Sequence, residues 1–193
     1  NSAIRITCHV IALHPDHDQV LLTGGSERNS LPSFLAVEHA TGATRHINRA
    51  MSELFGVAAI VLRHVGDLPR GDGHVDRFYS ADVLPPVDSS DSDHRWIAVA
   101  ELDTWSDMPP VHLQQIRTCV SDLRHPELPS PRRLPWTQPG WYSAACRWIS
   151  EQAEGIVAGT VEQITCWEQS CVLRVSTQDG LLFFKALPEM YAV

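Results

Sequence analysis

The sequence has no long apolar run and no leader-like start, and each absence excludes a class of protein. None of its apolar stretches approaches the ~20 residues that a membrane-spanning helix needs. The first residues do not combine a positively charged region with the apolar region of a secretory signal. We therefore expect a protein that does not bind or span a membrane, and we place it in the cytoplasm.

Positive charge is also scarce. The chain has 15 lysines and arginines against 23 aspartates and glutamates, for a net charge of −8. Only Arg132 and Arg133 are adjacent, and they lie in a proline-rich stretch. Proteins bind nucleic acids through clustered lysines and arginines that neutralise phosphates. We therefore expect no nucleic-acid partner.

The cysteines and histidines follow no metal-binding or disulfide pattern. The five cysteines are Cys8, Cys119, Cys146, Cys166 and Cys171, an odd number without C-x-x-C spacing. This pattern predicts reduced, mostly buried thiols instead of a disulfide framework or a zinc site. The ten histidines include no H-x-x-x-H pair on a predicted helix. We expect most of them to be scattered over the surface.

Apolar residues are plentiful, at 44% of 193 residues, which suits one domain or one and a half. Five prolines fall within residues 125–140. Such a segment cannot continue a helix or an inner strand, and it is typical of a semi-rigid linker. The sequence therefore predicts three parts: residues 1–124, a linker over 125–140, and residues 141–193.

The stretch before Gly56 predicts an amphipathic helix. Its apolar residues recur at three- and four-residue steps: Ala43, Ile47, Met51, Leu54 and Phe55. Gly56 is a suitable terminator because glycine accepts a positive φ. The apolar run from Val57 predicts a strand directly afterwards, so this region predicts an α/β unit.

Other patterned stretches complete the prediction. Strands are expected over residues 3–13, 19–23, 58–65, 74–83 and 95–102, and a helix with one apolar stripe from Pro109 to Leu123. A helix over 141–154 and extended segments over 161–167, 172–176 and 181–187 follow the linker. An α/β (α+β) fold follows: an α/β/α sandwich with a mixed sheet over residues 3–124, then a small α+β segment.

The helix stretch resembles the second half of the Nudix box, G-x5-E-x7-R-E-U-x-E-E-x-G-U, where U is a bulky aliphatic residue. The matching residues are Arg49, Met51, Glu53, Gly56 and Val57, whereas Ala50 and Leu54 replace two glutamates. The motif glycine falls on Leu35 and its distant glutamate on Thr41. Upstream, Leu31-Pro32 and Glu38 resemble remnants of the family's L-P-G-G-x-x-E entry. The resemblance implies a Nudix-type sandwich with a degenerate box.

The same resemblance bears on catalysis. Nudix hydrolases cleave a diphosphate linked to another group, and clustered carboxylates hold the Mg²⁺ ions that neutralise the phosphates and activate water. If the chain were active, Arg49 and Glu53 would be the site residues, with Glu53 and Glu38 as metal ligands and Glu101 as a further candidate. Without a cluster, Glu53 forms a surface ion pair with Arg49 at i,i+4. His46, seven residues before Glu53, lies on roughly the same face.

The last segment resembles the start of an aminoglycoside phosphotransferase-like kinase. The similar residues run from Trp167 to Val175 and include Thr177, Gly180 and the stretch from Phe183 to Ala186. The resemblance implies that Ser170 and Lys185 contact the phosphates of ATP in the full-length kinase. An ordinary exposed strand lysine is the alternative. The catalytic-loop aspartate that kinases need does not follow before residue 193, so we interpret this part as a truncated N-lobe.

Three functional hypotheses follow. In the first, the Nudix-like domain has lost pyrophosphohydrolase activity and serves as the N-terminal ligand-binding, regulatory or docking module of a phosphotransferase-like kinase, with a small phosphorylated or nucleotide ligand. In the second, it is an active Mg²⁺-dependent hydrolase of nucleoside diphosphate derivatives. In the third, it is a structural or dimerisation module that forms a homodimer, since a fold alone does not determine function.

Overall fold

Apart from a three-residue strand at Ser33–Leu35, which no sequence pattern predicted, the longer strands and helices follow each other in the predicted order. The computed structural model describes residues 4–14, 18–24, 29–36, 40–86, 94–104, 108–124, 133–152 and 156–188. The strands are β1 (Arg5–Leu13), β2 (Gln19–Thr23), β3 (Ser33–Leu35), β4 (Ala59–Gly71), β5 (His74–Val83), β6 (His94–Ala98), β7 (Ile156–Trp167), β8 (Ser170–Thr177) and β9 (Gly180–Ala186). The helices are α1 (Arg45–Phe55), α2 (Pro110–Arg124) and α3 (Trp141–Gln152), with short 3-10 helices at Val99–Thr104 and Pro135–Thr137.

The first six strands form one sheet in the order β4-β5-β1-β2-β6, with β3 also paired to β1. β1 lies parallel to β5 and antiparallel to β2 and β3. The mixed central sheet predicted from the sequence is therefore confirmed.

Each face of this sheet is covered by a helix. Cys8 and Val10 of β1 pack in one cluster with Ile47 and Met51 of α1. Successive strand residues point to opposite faces, so Ile11 lies in a second cluster, which contains α2 residues such as Ile116, Cys119 and Val120. The result is the predicted α/β/α sandwich.

Helix α1 ends as its sequence predicts. Gly56 adopts φ 64°, in the left-handed region, and the Val57 N–H donates to the Met51 carbonyl at 3.1 Å. This closure satisfies a carbonyl that the last helical turn leaves open. Leu54, by contrast, leaves the predicted apolar face and is 59% exposed.

Two strands of the sandwich end at other residues than predicted. β4 was expected to end near Val65, but it continues to Gly71 before a tight turn at Asp72 and Gly73. Register shifts along the β4–β5 pair, one of them between Pro69 and Gly71, allow the strand to continue past a residue without an N–H. β6 ends at Ala98, and the residues predicted to extend it form a 3-10 helix instead.

The C-terminal part is a three-stranded antiparallel sheet in the order β7-β8-β9. Residues of α3 and the adjoining 3-10 helix pack on it in a third cluster that includes Trp136 and Leu173, together with Ile60 from β4. Trp136 and Thr137, in the second half of the predicted linker, are thus buried, at 1% and 6% exposure. Among the described residues, no helix is both long and apolar enough to cross a membrane.

Candidate functional site

The box helix α1 presents a single carboxylate. Glu53 is largely exposed, and its Oε1 lies 3.8 Å from Nε of Arg49, one turn earlier. Ala50 and Leu54 contribute no acidic group. His46 was expected near the Glu53 face, but it is 4% exposed and lies in the interior. His46 is buried because α1 turns the side that carries Ile47, and not the side that carries Glu53, toward the sheet.

These residues do not fit a magnesium centre. Mg²⁺ requires near-octahedral oxygen coordination, and the multi-metal site of a hydrolase requires several carboxylates. Glu101 is exposed on the 3-10 helix after β6, and Glu38 lies outside the described residues. Within the described part of the chain, no three histidine, cysteine, aspartate or glutamate side chains are grouped so that they could hold a metal ion. The described residues therefore supply a surface ion pair where a hydrolase needs a metal cluster.

The loop that leads into α1 is paired with β7. Ala43 and Thr165 form an isolated antiparallel bridge. On either side of this bridge, the Thr44 N–H donates to the Ile164 carbonyl at 3.3 Å and the Cys166 N–H donates to the Gly42 carbonyl at 2.9 Å. The loop before α1 therefore extends the C-terminal sheet by a short antiparallel pairing with β7.

A buried amide network joins the same elements, and we name its three residues, Asn48, Val61 and Gln163, the amide joint. Gln163 is 1% exposed, and its Nε2–H donates to the Val61 carbonyl at 2.8 Å. Its Oε1 accepts from Asn48 Nδ2 at 2.9 Å, and Asn48 Oδ1 accepts from the Val61 N–H at 3.0 Å. Every member both donates and accepts, so helix α1, strand β4 and strand β7 are fixed in one relative position.

Charged residues flank the amide joint on its solvent side. Nε of Arg45 in α1 lies 2.5 Å from Oε1 of Glu162 in β7, and Arg174 of β8 contacts the other oxygen of the same carboxylate. All three side chains are partly exposed, so solvent screens the pairs and each contributes at most ~1 kcal/mol. The buried amides, more than these charges, determine how the sheet is held.

Apolar packing and a buried carboxylate complete this interface. Ile60 of β4 lies in the cluster of Trp136, Tyr142 and Leu173. Asp82 accepts the Gly140 N–H at 2.7 Å. Burial raises the pKa of Asp82 above its ordinary value, against the opposing effect of the Gly140 hydrogen bond.

The residues that the kinase resemblance singled out lie on one face of the C-terminal sheet. Lys185 of β9 is directly opposite Val172 of β8, and Ser170 is two residues before Val172, so alternation places both side chains on the same side. Lys185 is exposed, whereas Ser170 is 6% exposed and its Oγ accepts from Trp167 Nε1 at 3.1 Å. A role for either residue in nucleotide binding stays a prediction.

A cavity of about 310 Å³ lies between the sandwich and the C-terminal sheet. Its lining residues are Thr41, Arg63, His64, Leu134, Thr137, Trp167 and Glu168. Trp167 packs closely on Gly42, where an added Cβ would lie 3.3 Å from the tryptophan side chain. The guanidinium of Arg63 is held 2.6 Å from Asp122. An indole face suits a small planar ligand, and Arg63, which shares its charge with Asp122, is the arginine of the lining.

Histidines form a second site that the sequence patterns did not predict. His9 and His112 are 5% and 3% exposed, so the expectation of scattered surface histidines is wrong for both. Their rings lie 4.7 Å apart, beside Phe78, and His9 Nε2 lies 3.2 Å from Asp76. His9 lies 67 or more positions before the other three residues, and His112 lies 34 or more positions after Asp76 and Phe78. The pairing of β1 with β5 and the packing of α2 on the sheet bring them together.

The electrostatics of this cluster favour neutral histidines. Burial lowers the pKa of His112 to about 4, and nearby His9 adds to the effect. Neither ring nitrogen of His112 has a hydrogen-bond partner among the described residues. Burial raises the pKa of Asp76, but hydrogen bonds from His9 and Arg70 outweigh it, so the carboxyl pKa lies below its ordinary value.

Comparison with solved structures returns Nudix hydrolases. A Nudix-family hydrolase from Clostridium perfringens aligns with 62% of this chain and 98% of its own, at a TM-score of 0.48 and 14% identity. A Nudix hydrolase from Nitrosomonas europaea aligns with 65% of this chain and 74% of its own, at a TM-score of 0.49 and 14% identity. A UDP-X diphosphatase aligns with 61% of this chain and 63% of its own, at a TM-score of 0.46 and 14% identity. No family model and no curated protein sequence matches the chain. At these identities the likeness concerns the arrangement of helices and strands and not the chemistry.

Proposed function

We propose that the sandwich is a Nudix-like module that no longer hydrolyses pyrophosphates and acts as a docking partner for the C-terminal sheet, as the N-terminal regulatory part of a phosphotransferase-like kinase. One observation carries this proposal: the loop entering the box helix and the helix itself are hydrogen-bonded to β7. In this arrangement the helix positions another segment of protein, and it no longer positions metal ions.

The single carboxylate on α1 supports the proposed loss of hydrolysis. A diphosphate leaving group carries several negative charges that hard cations must neutralise. Glu53 alone, exposed and beside Arg49, is too weak a site to gather those cations. Ser170 and Lys185 would contact ATP in the full-length kinase, since both lie on one sheet face.

The cavity beside Trp167 is the place we assign to a regulatory ligand. A small phosphorylated or nucleotide ligand would stack on the exposed part of the indole and direct its anionic group to Arg63. A ligand there would touch both the sandwich and the C-terminal sheet, so its binding would stabilise their docking.

The hydrolase hypothesis is tested by phosphate release. The chain is incubated with Mg²⁺ or Mn²⁺ and a panel of nucleotide sugars, dinucleotides and nucleoside triphosphates, beside the Glu53→Gln variant. We expect no turnover above the metal-only blank, and the same result for both proteins. Metal-dependent release that disappears in Glu53→Gln would refute the proposal and establish the hydrolase instead.

Docking is tested by unfolding and by ligand binding. Because the amide joint ties the two parts together, urea unfolding followed by tryptophan fluorescence and by far-ultraviolet circular dichroism should give coincident transitions. Separate transitions would contradict docking. A ligand from the same panel should raise Tm, and Trp167→Ala should remove that shift. A concentration-dependent dimer with neither turnover nor ligand stabilisation would favour the structural module.

A further inference from the structure

Cys166 and Cys171 face each other across the β7–β8 hairpin. Their pair follows directly after the Trp167–Ser170 pair that closes the two-residue turn. The Cys166 N–H donates to the Gly42 carbonyl at 2.9 Å and so points away from β8. The two cysteines are therefore a non-hydrogen-bonded pair, in which the Cα atoms approach to ~4.5 Å. That separation falls within the range of ~4.4–6.8 Å found across disulfides.

The surroundings of the two sulfurs divide their roles. The neighbouring Cys166 thiol lowers the pKa of the Cys171 thiol, burial opposes this, and a contact from Gln163 Nε2 at 3.8 Å adds to the lowering. The proximity of Cys171, together with burial, raises the pKa of Cys166. The Gln163 amide donor beside Cys171 favours a thiolate there, whereas Cys166 donates its proton to the Leu62 carbonyl and keeps it, so Cys171 is the nucleophilic sulfur of the pair.

The other cysteines differ from this pair. Burial raises the pKa of Cys8 and of Cys119 to about 11. Cys8 lies in the cluster on the α1 side of the sheet and Cys119 in the cluster on the α2 side, so they cannot meet. Burial also raises the pKa of Cys146. All five thiols are free in the structure, and these three are internal references for any oxidation.

We propose that Cys166 and Cys171 are a reversible dithiol–disulfide site that hydrogen peroxide oxidises. The Cys171 thiolate attacks the peroxide oxygen, the O–O bond breaks, and hydroxide leaves with the proton that the thiol released, as water. The resulting sulfenic acid is attacked by Cys166, whose proton joins the departing hydroxyl as a second water. One peroxide is reduced by two electrons and one S–S bond forms. Both sulfurs are buried, so the reaction proceeds when the hairpin end next to the exposed Trp167 opens.

The disulfide would act on the interface between the sandwich and the C-terminal sheet. In the reduced state Cys166 Sγ donates to the Leu62 carbonyl at 3.2 Å. Gln163 of the amide joint contacts Cys171 Sγ. Oxidation removes the S–H donor and ties both sulfurs to each other, so the modification changes contacts of β7 with β4. Formation of the disulfide itself does not depend on the docking function proposed above.

The test uses the whole chain. Reduced protein is treated with hydrogen peroxide, quenched with catalase, alkylated under denaturing conditions, and digested with a glutamate-specific protease, which cleaves at Glu168 between the two cysteines. We expect the loss of two of the five free thiols. A dithiothreitol-reversible pair of linked peptides should carry Cys166 and Cys171. The Cys119→Ser variant should lose the same two thiols. In Cys171→Ser and in Cys166→Ala the remaining cysteine of the pair should form no disulfide.

Three outcomes would overturn the proposal. The first is a folded protein, judged by circular dichroism, that keeps all five alkylatable thiols. The second is linkage through Cys146, Cys8 or Cys119 in place of the predicted pair. The third is loss of thiols in urea-unfolded protein only, because the proposed opening of the hairpin end leaves the rest of the protein folded. Two variants at different positions of the pair protect the test from a single variant that does not fold.

Discussion

Replacing Gln163 by leucine tests the amide joint most directly. Leucine has a similar volume and suits a position that is 1% exposed, so little packing is lost. The substitution removes the donor to the Val61 carbonyl and the acceptor for Asn48 Nδ2. What remains is one buried backbone oxygen and one side-chain amide without their partner.

The expected cost follows from the burial of those two groups. Val61 is fully buried, so its carbonyl cannot bond to water instead, and leaving it without a partner lowers the free energy of unfolding by ~1–3 kcal/mol. The unpaired amide of the half-buried Asn48 lowers it by less. We expect the free energy of unfolding to fall by about 2–3 kcal/mol in total. For a chain of this length that corresponds to a decrease in Tm of roughly 4 to 12 °C.

Urea denaturation followed by circular dichroism measures this change. Gln152→Leu makes the same chemical substitution at an exposed position of α3 and should stay within ~0.5 kcal/mol of the parent. A double-mutant cycle with Asn48→Ala should give a coupling energy of ~0.5 kcal/mol or more. If Gln163→Leu cost no more than Gln152→Leu, or the cycle were additive, the amide joint would not hold the two parts together.

Three further predictions concern other parts of the molecule. Glu53→Gln should change the free energy of unfolding by less than ~0.5 kcal/mol, since its ion pair with Arg49 is exposed; a larger loss in urea denaturation would mean that Glu53 has another partner. Trp136→Ala should cost ~3–5 kcal/mol by the same assay, because a fully buried aromatic side chain leaves a cavity; a loss below ~1 kcal/mol would show a loose linker. Folding keeps His112 neutral, with a pKa of about 4 against an ordinary 6.5, so unfolded chains bind the extra proton between these values and stability falls as pH decreases. From pH 7 to pH 5 we expect a loss of about 2 kcal/mol, and His112→Phe should flatten the profile; an equal slope in this variant would assign the dependence to other groups.

The local chemistry of α1 was predictable because it depends on near neighbours in sequence. The spacing of Ile47 and Met51 predicts the buried face, and Gly56 predicts the helix end; both are confirmed. That Glu53 is the one acidic residue between positions 49 and 57 is likewise visible without a structure. Leu54 itself was placed on the wrong side, since periodicity does not show how far an apolar stripe extends around a helix.

Strand limits and burial of polar residues were less predictable. The continuation of β4 to Gly71 depends on bulged pairing with β5. Residues 66–71 contain two glycines and a proline, which disfavour a strand in a sequence-based prediction. The burial of His9 and His112 depends on where the sheet and α2 meet. A histidine gives no periodic signal of its own, so no pattern separates a buried one from an exposed one.

The sequence by itself determined most of the order of elements, the amphipathic faces and the presence of a single carboxylate on α1, because each is encoded within one or two helical turns or a strand. Only the tertiary structure decided that α1 binds β7. Asn48 and Gln163 are separated by 115 positions, and each is an unremarkable polar residue in its own segment. Their pairing exists because the packed sheets bring two amides together in a place that water cannot reach, where each must find a partner.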